Sequence, residues 1–263
     1  MVAHTTWFFV VLLCAVAVLA ACQLAAYADS AATGWRLRLA IAGGCVAALL
    51  VVALAWHFQG VAKIDGDVLA KLVGDRNAGL NGLFSTVTTM GDTVPSFLLA
   101  SLLAIAYYQQ TRRIAGFVLV AMVVVQLAIQ SSMPSLFHDV TLISLHPLVQ
   151  LGRGAGAAGT IPSGSVSRLL PLLLVGATLW HGYSPRTERV LLALAPLVVM
   201  TEIVSRLYLG RHLLADIAAG LLLGVVLTIA FRWVLQLVAE LGPVRARRPA
   251  RPPGGRGSAL LNR

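Results

Sequence analysis

Seven long apolar segments constrain the fold of this chain more than any other feature of its sequence. Each is close to the roughly 20 residues that an α-helix needs to cross the hydrocarbon core of a bilayer. Because lipid offers backbone groups no hydrogen-bond partners, segments of this kind fold as helices. They lie at about residues 7–28, 38–57, 93–110, 114–132, 165–182, 188–206 and 212–236. The pattern predicts an all-α fold, a polytopic membrane bundle of about seven transmembrane helices.

The composition is typical of a membrane protein and argues against a soluble domain. Of the 263 residues, 58% are hydrophobic and 11% are charged, and the mean hydropathy is +0.85. We expect three parts: an additional N-terminal transmembrane helix in residues 1–35, a membrane-embedded core in residues 36–240, and a basic cytoplasmic tail in residues 241–263. The tail is rich in Pro, Gly and Arg, which predicts disorder.

Arginines in the short loops indicate the orientation, because cytoplasmic loops carry an excess of Lys and Arg. They lie between segments 1 and 2, 3 and 4, and 5 and 6, and in the tail: Arg36, Arg38, Arg112, Arg113, Arg186, Arg189 and six tail arginines. We expect a multi-pass protein of a bacterial-type inner membrane with a cytoplasmic C-terminus and an N-terminus outside. Loops at about 58–92, 133–164 and 207–211 are then extracytoplasmic. The net charge of +10 indicates contact with the bilayer and its anionic lipids rather than nucleic acid.

An alternative for the N-terminus is removal of the first segment. AYADS at 26–30 resembles a signal-peptidase site, and LAAC at 19–22 resembles a lipoprotein cleavage box. Against cleavage, no positively charged region precedes the apolar segment. Removal would also break the alternation of arginine-rich loops if the new N-terminus lay outside.

The charged stretch SRLYLGRHLLAD, residues 205–216, is the most informative local pattern. His212 and Asp216 are four residues apart and share a helix face, so Asp216 can accept a hydrogen bond from one imidazole nitrogen. Arg206 offers a planar fork to a phosphate. Burying a carboxylate inside a membrane span costs free energy, so Asp216 suggests a functional site. Arg211, taken alone, is typical of a residue at the membrane–water interface. An arginine, an oriented histidine and a carboxylate suit phosphoryl transfer through a phosphohistidine.

A second stretch, IPSGS at residues 161–165, opens the fifth segment on the same expected face of the membrane. Pro162 and Gly164 allow a tight turn before the helix. The free N–H groups of a helix start form an anion site. A PSG sequence is by itself only a turn in most proteins. Glu202, four residues before Arg206, can pair with that arginine and either position or neutralise it.

These stretches resemble two motifs of the type-2 phosphatidic acid phosphatase superfamily. SRLYLGRHLLAD matches the third motif, SR-x5-H-x3-D, at every fixed position, and IPSGS resembles the second motif, PSGH. Residues 63–92 look like the family's extracytoplasmic segment before its second core span, so the resemblance covers roughly residues 60–236. Segments 2–7 would form the family's six-helix phosphatase-like core, with segment 1 as an addition.

The resemblance implies a role for each matching residue. His212 would be the nucleophile and Asp216 would orient it. The substrate phosphate would be bound by Arg206 and by the start of the fifth helix at Ser163, Gly164 and Ser165. The substrate would be a lipid phosphate or diphosphate in the outer leaflet. The sequence has no zinc-ligand spacing and no nucleotide-binding loop, so no metal or other cofactor is expected.

The sequence departs from the family at three functional positions. Ser165 stands where the second-motif histidine protonates the leaving group, and a serine hydroxyl is no general acid near neutral pH. The first motif, K-x6-RP, aligns best with QLAIQSSMP, which places Gln126 at the lysine and Met133 at the arginine. General acid catalysis contributes about 10²–10⁴-fold, so a phosphomonoesterase built this way should be slow.

Three explanations of these departures remain open. Other residues can substitute, and the candidate auxiliary residues are His138, Arg153, Arg168 and Arg211. A diphosphate substrate, such as a polyprenyl diphosphate, needs no acid because it expels phosphate, with a pKa of about 6. Alternatively, a catalytically impaired member binds lipid phosphate or scaffolds a partner protein in envelope assembly. We expect a divergent lipid-phosphate phosphatase or phosphotransferase, with the impaired member as the alternative and a transporter with a coincidental motif as a third possibility.

Overall fold

Apolar helices dominate the computed structural model, which describes residues 2–28, 34–57, 78–136, 162–181 and 183–241. The described residues form eight α-helices and two short 3₁₀ turns, with no strand among them. The helices are α1 (Val2–Ala28), α2 (Trp35–His57), α3 (Ala78–Thr88), α4 (Thr93–Thr111), α5 (Val118–Leu136), α6 (Gly164–Trp180), α7 (Pro185–Tyr208) and α8 (Leu214–Leu241). The 3₁₀ turns, Thr89–Gly91 and Ile114–Phe117, precede α4 and α5.

Each of the seven predicted segments contains a helix, which confirms the all-α membrane bundle. Four described helices are long and apolar enough to cross a bilayer, and a fifth is added if α3 and α4 count as one bent span. The other apolar helices, Val10–Ala25 and Gly164–Trp180, are shorter. Within the described residues, length and composition thus identify four or five candidate spans, compared with the seven expected from the sequence. The protein is a multi-pass membrane protein.

The helix α6 lies at the centre of the bundle. Its side chains are buried along nearly the whole length, and it packs mainly against α7 and α8. Two glycines of α8 allow the close approach. A Cβ atom at Gly220 would lie 2.8 Å from the Ser163 carbonyl oxygen, and one at Gly224 would lie 3.0 Å from Leu170. Small residues at such contacts let helix backbones come together where lipid supplies no hydrophobic driving force.

The other helices surround this centre. The helix α2 packs on α8, α1 packs on α7 and α8, α4 packs on α5, and α3 packs on α7. The short helix α3 lies in the predicted loop 58–92 and is bent by 53° from α4. The break falls at Asp92, whose extended backbone ends the 3₁₀ turn and begins α4. Pro95 fits the first turn of α4, because the N–H that it lacks has no partner within a helix there.

Basic residues collect at one end of the bundle. Arg38 at the start of α2 donates to Gln236 near the end of α8 over 2.9 Å. Arg232 of α8 donates to the Ala25 carbonyl of α1 over 2.9 Å. Arg113, before α5, lies 5.5 Å from the ring centre of Tyr183, before α7. The residues singled out from the sequence motifs lie at the opposite end, where α6 and α8 begin and α7 ends.

Candidate active site

The pair His212 and Asp216 lies where α7 passes into α8. Gly210 adopts a left-handed conformation with φ of 66° and ends the helical path of α7. The Asp216 carboxylate then receives two hydrogen bonds at the start of α8: one from His212 Nδ1 over 3.2 Å and one from the Leu213 amide over 3.1 Å. Asp216 is completely buried. Because an ionised carboxylate only accepts, the proton of the imidazole lies on Nδ1 and the lone pair lies on Nε2.

Arg206 presents its guanidinium to that lone pair. Its NH1 atom lies 3.2 Å from His212 Nε2. Its Nε atom donates to Glu202 in a short hydrogen bond. Its NH2 atom donates to Asp92 over 2.9 Å and to the Thr88 carbonyl over 3.3 Å. All three nitrogens of this largely buried arginine are therefore engaged.

Arg206 thus pairs with two carboxylates of different accessibility. The Glu202 side chain is 2% exposed, and its second oxygen has no hydrogen-bond partner within the described residues. The Asp92 side chain is 49% exposed. Glu202 therefore fixes the arginine from inside the bundle, while Asp92 covers its accessible side. An anion approaching Arg206 from that side meets Asp92 first.

The start of α6 is fastened to α8 rather than left open. The Ser163 amide donates to the Asp216 main-chain carbonyl over 2.8 Å. Gly164 lies against the end of the Gln130 side chain of α5, which would have to move to make room for a Cβ atom at position 164. The hydroxyls of Ser163 and Ser165 are buried and have no hydrogen-bond partner in the described part of the chain. The structure therefore brings the predicted PSGS stretch to the His212 pair.

Arg168 also reaches this end of the bundle, although it is buried and 4% exposed. Its NH1 atom donates to Gln126 over 3.0 Å and to Gln130 over 2.8 Å. Its NH2 atom donates to the Gly91 carbonyl over 2.9 Å. Gln126 in turn donates to Ser167 over 2.9 Å. A lysine at position 126 could not accept from Arg168, so the glutamine and the arginine fit one another.

The turn at residues 88–92 joins the two arginines. Arg206 donates to the carbonyl of its first residue, Thr88, and Arg168 donates to that of Gly91. Gly91 also lies against Ser165, since a Cβ atom on Gly91 would be 2.5 Å from the Ser165 Cβ. The turn therefore covers the position where the family motif has a histidine.

Thr88, Gly91 and Asp92 were not predicted as site residues. The sequence holds one signal that could have found them: a Gly-Asp pair directly before a helix start with proline in its first turn. That signal marks a turn, but it does not say which helix the turn meets.

Some predicted site residues lie elsewhere. The Arg211 amide donates to the Arg206 carbonyl over 2.9 Å, but no hydrogen bond or ion pair joins the Arg211 side chain to another described residue. His138 and Arg153 lie outside the described residues. The part of the chain that is described holds no group of three or more His, Cys, Asp or Glu that could bind a metal ion.

Comparisons with known proteins bear on the whole arrangement. The family model of the PAP2 superfamily matches residues 153–239, which run from before α6 to the end of α8 and include Arg206, His212 and Asp216. A crystal structure of a transmembrane PAP2-type phosphatidylglycerolphosphate phosphatase from Bacillus subtilis superposes with a TM-score of 0.65. It is 18% identical and covers 79% of this chain and 98% of its own. That likeness concerns the fold.

No curated protein sequence gives a significant match. The family model nevertheless agrees with the resemblance of the two motifs, and it covers the helices that bring those motifs together. Over residues 153–239 the chain is therefore similar to the PAP2 superfamily, in agreement with the resemblance of its two motifs.

Proposed function

We propose that this protein is a membrane phosphatase or phosphotransferase that acts on a lipid phosphate or diphosphate through a phosphohistidine at His212. The match of residues 153–239 to the family model of the PAP2 superfamily supports a lipid phosphatase-type function. One observation carries the finer proposal: His212 donates its Nδ1 proton to buried Asp216, and its Nε2 atom faces Arg206 at 3.2 Å. A basic nitrogen beside a guanidinium is what attack on a phosphoryl group requires.

In the proposed reaction the phosphoryl group enters between His212 Nε2 and Arg206. The Nε2 lone pair attacks phosphorus as the bond to the leaving oxygen breaks, while Arg206 moves its NH1 hydrogen bond from the imidazole to a phosphoryl oxygen. Asp216 keeps the proton on Nδ1 and stabilises the positive charge that develops on the ring, as a triad carboxylate does. Water, or an acceptor alcohol in the transferase case, then takes the phosphoryl group from Nε2.

The leaving group limits the substrate. Ser165 supplies no acid, so a substrate that expels phosphate, with a pKa of about 6, is favoured over one that expels an unassisted alkoxide. A polyprenyl diphosphate is of this kind. Lipid phosphates and lipid diphosphates are both candidate substrates, because another residue near Ser165 could donate the proton that the serine cannot.

The orientation proposed from the loops has support at both ends of the bundle. The arginines Arg38, Arg113 and Arg232 lie at one end, and His212 lies at the other. Basic loops mark the cytoplasmic side. We therefore propose an inner-membrane protein with its reactive end outside and its C-terminus in the cytoplasm.

A second candidate function is lipid-phosphate binding without turnover, alone or beside a partner enzyme. The observation that favours it is the double pairing of Arg206 with Glu202 and Asp92. This leaves less positive charge for a substrate than an unpaired arginine would. In that case the His212 side chain would contribute to affinity and not to rate.

The test compares wild type with His212→Ala on phosphatidic acid and on a polyprenyl diphosphate, using purified protein in lipid vesicles. His181→Ala is a matched control, because His181 is also paired with a carboxylate, Glu188, at 2.9 Å, but lies at the opposite end. We expect His212→Ala to lose at least about 10³-fold in phosphate release and to lose the acid-labile phosphoenzyme, while His181→Ala keeps both. Equal release by wild type and His212→Ala would refute the proposal. Binding without release in wild type would favour the second candidate.

A further inference from the structure

The proposed function leaves one chemical step without a residue. Departure of an alkoxide from phosphorus needs a proton, and Ser165 at the family's acid position cannot supply it near neutral pH. The Ser165 side chain is also buried beneath the turn at residues 88–92, because Gly91 lies directly against it. A group that performs this step must therefore reach the phosphate from the accessible side of that turn.

Asp92 is the residue that directly follows Gly91 in this turn. It occupies the N-cap position of α4, where an aspartate side chain ordinarily accepts from an amide of the first turn. Here the side chain makes no such capping bond. Its carboxylate instead points to Arg206 NH2 at 2.9 Å and is 49% exposed. The carboxylates of Glu202 and Asp216, by contrast, are buried.

The guanidinium of Arg206 places Asp92 and His212 on either side of one anion position. NH1 faces His212 Nε2 and NH2 faces the Asp92 carboxylate. A phosphoryl group held by NH1 and NH2 would have the imidazole next to one nitrogen and the carboxyl group next to the other. His212 and Asp92, which contact the same guanidinium group, are therefore well placed to act as the attacking group and as the proton donor.

We propose that Asp92 is the general acid that protonates the leaving oxygen, an inference that rests on the function proposed above. The protonated carboxyl of Asp92 gives its proton to the ester oxygen as the P–O bond breaks and the bond from phosphorus to His212 Nε2 forms. The products are the free lipid alcohol, the phosphohistidine and the Asp92 carboxylate. This carboxylate then takes a proton from the water that attacks phosphorus, which restores the acid and the free imidazole.

Substrate binding would change the charges around Asp92. In this structure Asp92 is paired with Arg206, and the other charged groups near its turn among the described residues are Arg168 and Glu202. A bound phosphate takes over the NH2 hydrogen bond and brings negative charge beside the carboxylate. Loss of a cation and gain of an anion both favour the neutral carboxyl group. Substrate binding itself therefore creates the acid.

The variant Asp92→Asn, which keeps the shape but cannot donate this proton, tests the role by its dependence on the leaving group. We compare phosphatidic acid, which expels an alkoxide, with a polyprenyl diphosphate, which expels a polyprenyl monophosphate. The expected result is a fall in kcat of about 10²–10⁴-fold on phosphatidic acid and less than about 10-fold on the diphosphate. Asp92→Glu should recover part of the lost rate. Glu188→Gln, at the opposite end, should match wild type on both substrates.

Three results would overturn this assignment. Equal losses on the two substrates would mean that Asp92 only positions Arg206. A lower KM with unchanged kcat on both would mean that Asp92 merely competes with the substrate for Arg206. Unchanged kinetics would exclude any role. The His212→Ala measurement separates these results from failure of the underlying function: if phosphate release does not depend on His212, or wild type acts on neither substrate, both proposals fall together.

Discussion

Replacing Gly91 with alanine tests the contact on which the candidate site depends. Gly91 has no positive φ angle, so an alanine backbone fits, and any effect of the change comes from its methyl group. That methyl carbon would lie 2.5 Å from the Ser165 Cβ and still closer to the Glu202 carboxylate. Carbon atoms in contact ordinarily lie about 3.5–4.0 Å apart. The turn and α6 must therefore separate by about 1 Å.

The size of the effect follows from this displacement. Overpacking of a buried contact costs about 1–3 kcal/mol. Gly82→Ala is the matched control, because Gly82 lies in α3 with open space around it. Alanine there should stabilise its helix by about 0.5–1 kcal/mol. The two variants should therefore differ by about 1.5–4 kcal/mol, or by about 3–16 °C in Tm at roughly 2–4 °C per kcal/mol for a chain of this size.

The assay is thermal unfolding of both variants in the same lipid or detergent, together with phosphate release. Gly91→Ala should also lower turnover by up to about 10²-fold, because a 1 Å misplacement of reacting groups has effects of that order. The turn that moves carries Asp92 and the Thr88 carbonyl, which both bind Arg206. Equal Tm values for the two alanine variants would show that the turn does not lie against α6, and the reasoning about Ser165 and Asp92 would fail with it.

Two further predictions concern the helix core and the orientation. Gln126→Lys restores the family's lysine, but it places an ammonium group next to the Arg168 guanidinium and removes the 3.0 Å hydrogen bond between the two side chains. Thermal unfolding should show a loss of about 3–5 kcal/mol in stability, and Gln126→Glu should lose less. A Gln126→Lys protein as stable as wild type would contradict the pairing. For the orientation, a cysteine in place of Arg211 should react with a membrane-impermeant maleimide on intact cells while a C-terminal tag stays protected from external protease, and the reverse pattern would refute the assignment of the outer face.

Local spacing explains what the sequence could predict. The apolar segments are long enough to specify helices without knowledge of their neighbours. The pairing of His212 with Asp216 depends only on residues four apart across one helix start, so it too could be inferred. Glu202 and Arg206 are related by the same spacing, and they do pair.

The parts that could not be predicted depend on how helices meet. Arg168 and Gln126 are 42 residues apart, and each separately reads as an interfacial residue or a lost motif position. Asp92 and Arg206 are 114 residues apart, and their contact depends on the bend between α3 and α4. From the sequence, Ser165 is only a missing histidine side chain, whereas the structure shows that this serine is buried against Gly91. These relations follow from packing and not from a local pattern.

The two glycines on α8 have a consequence for how this protein tolerates change. Gly220 and Gly224 set the spacing between α6 and α8 from within the apolar interior. The Ser163–Asp216 hydrogen bond lies at the end of this α6–α8 interface. Alignment of the polar groups is thus determined by atoms that carry no charge and meet no solvent. Larger residues at these two glycines would separate α6 from α8 and displace the polar groups at the end of the interface. A substitution among apolar side chains would then be detected first as a loss of catalytic activity.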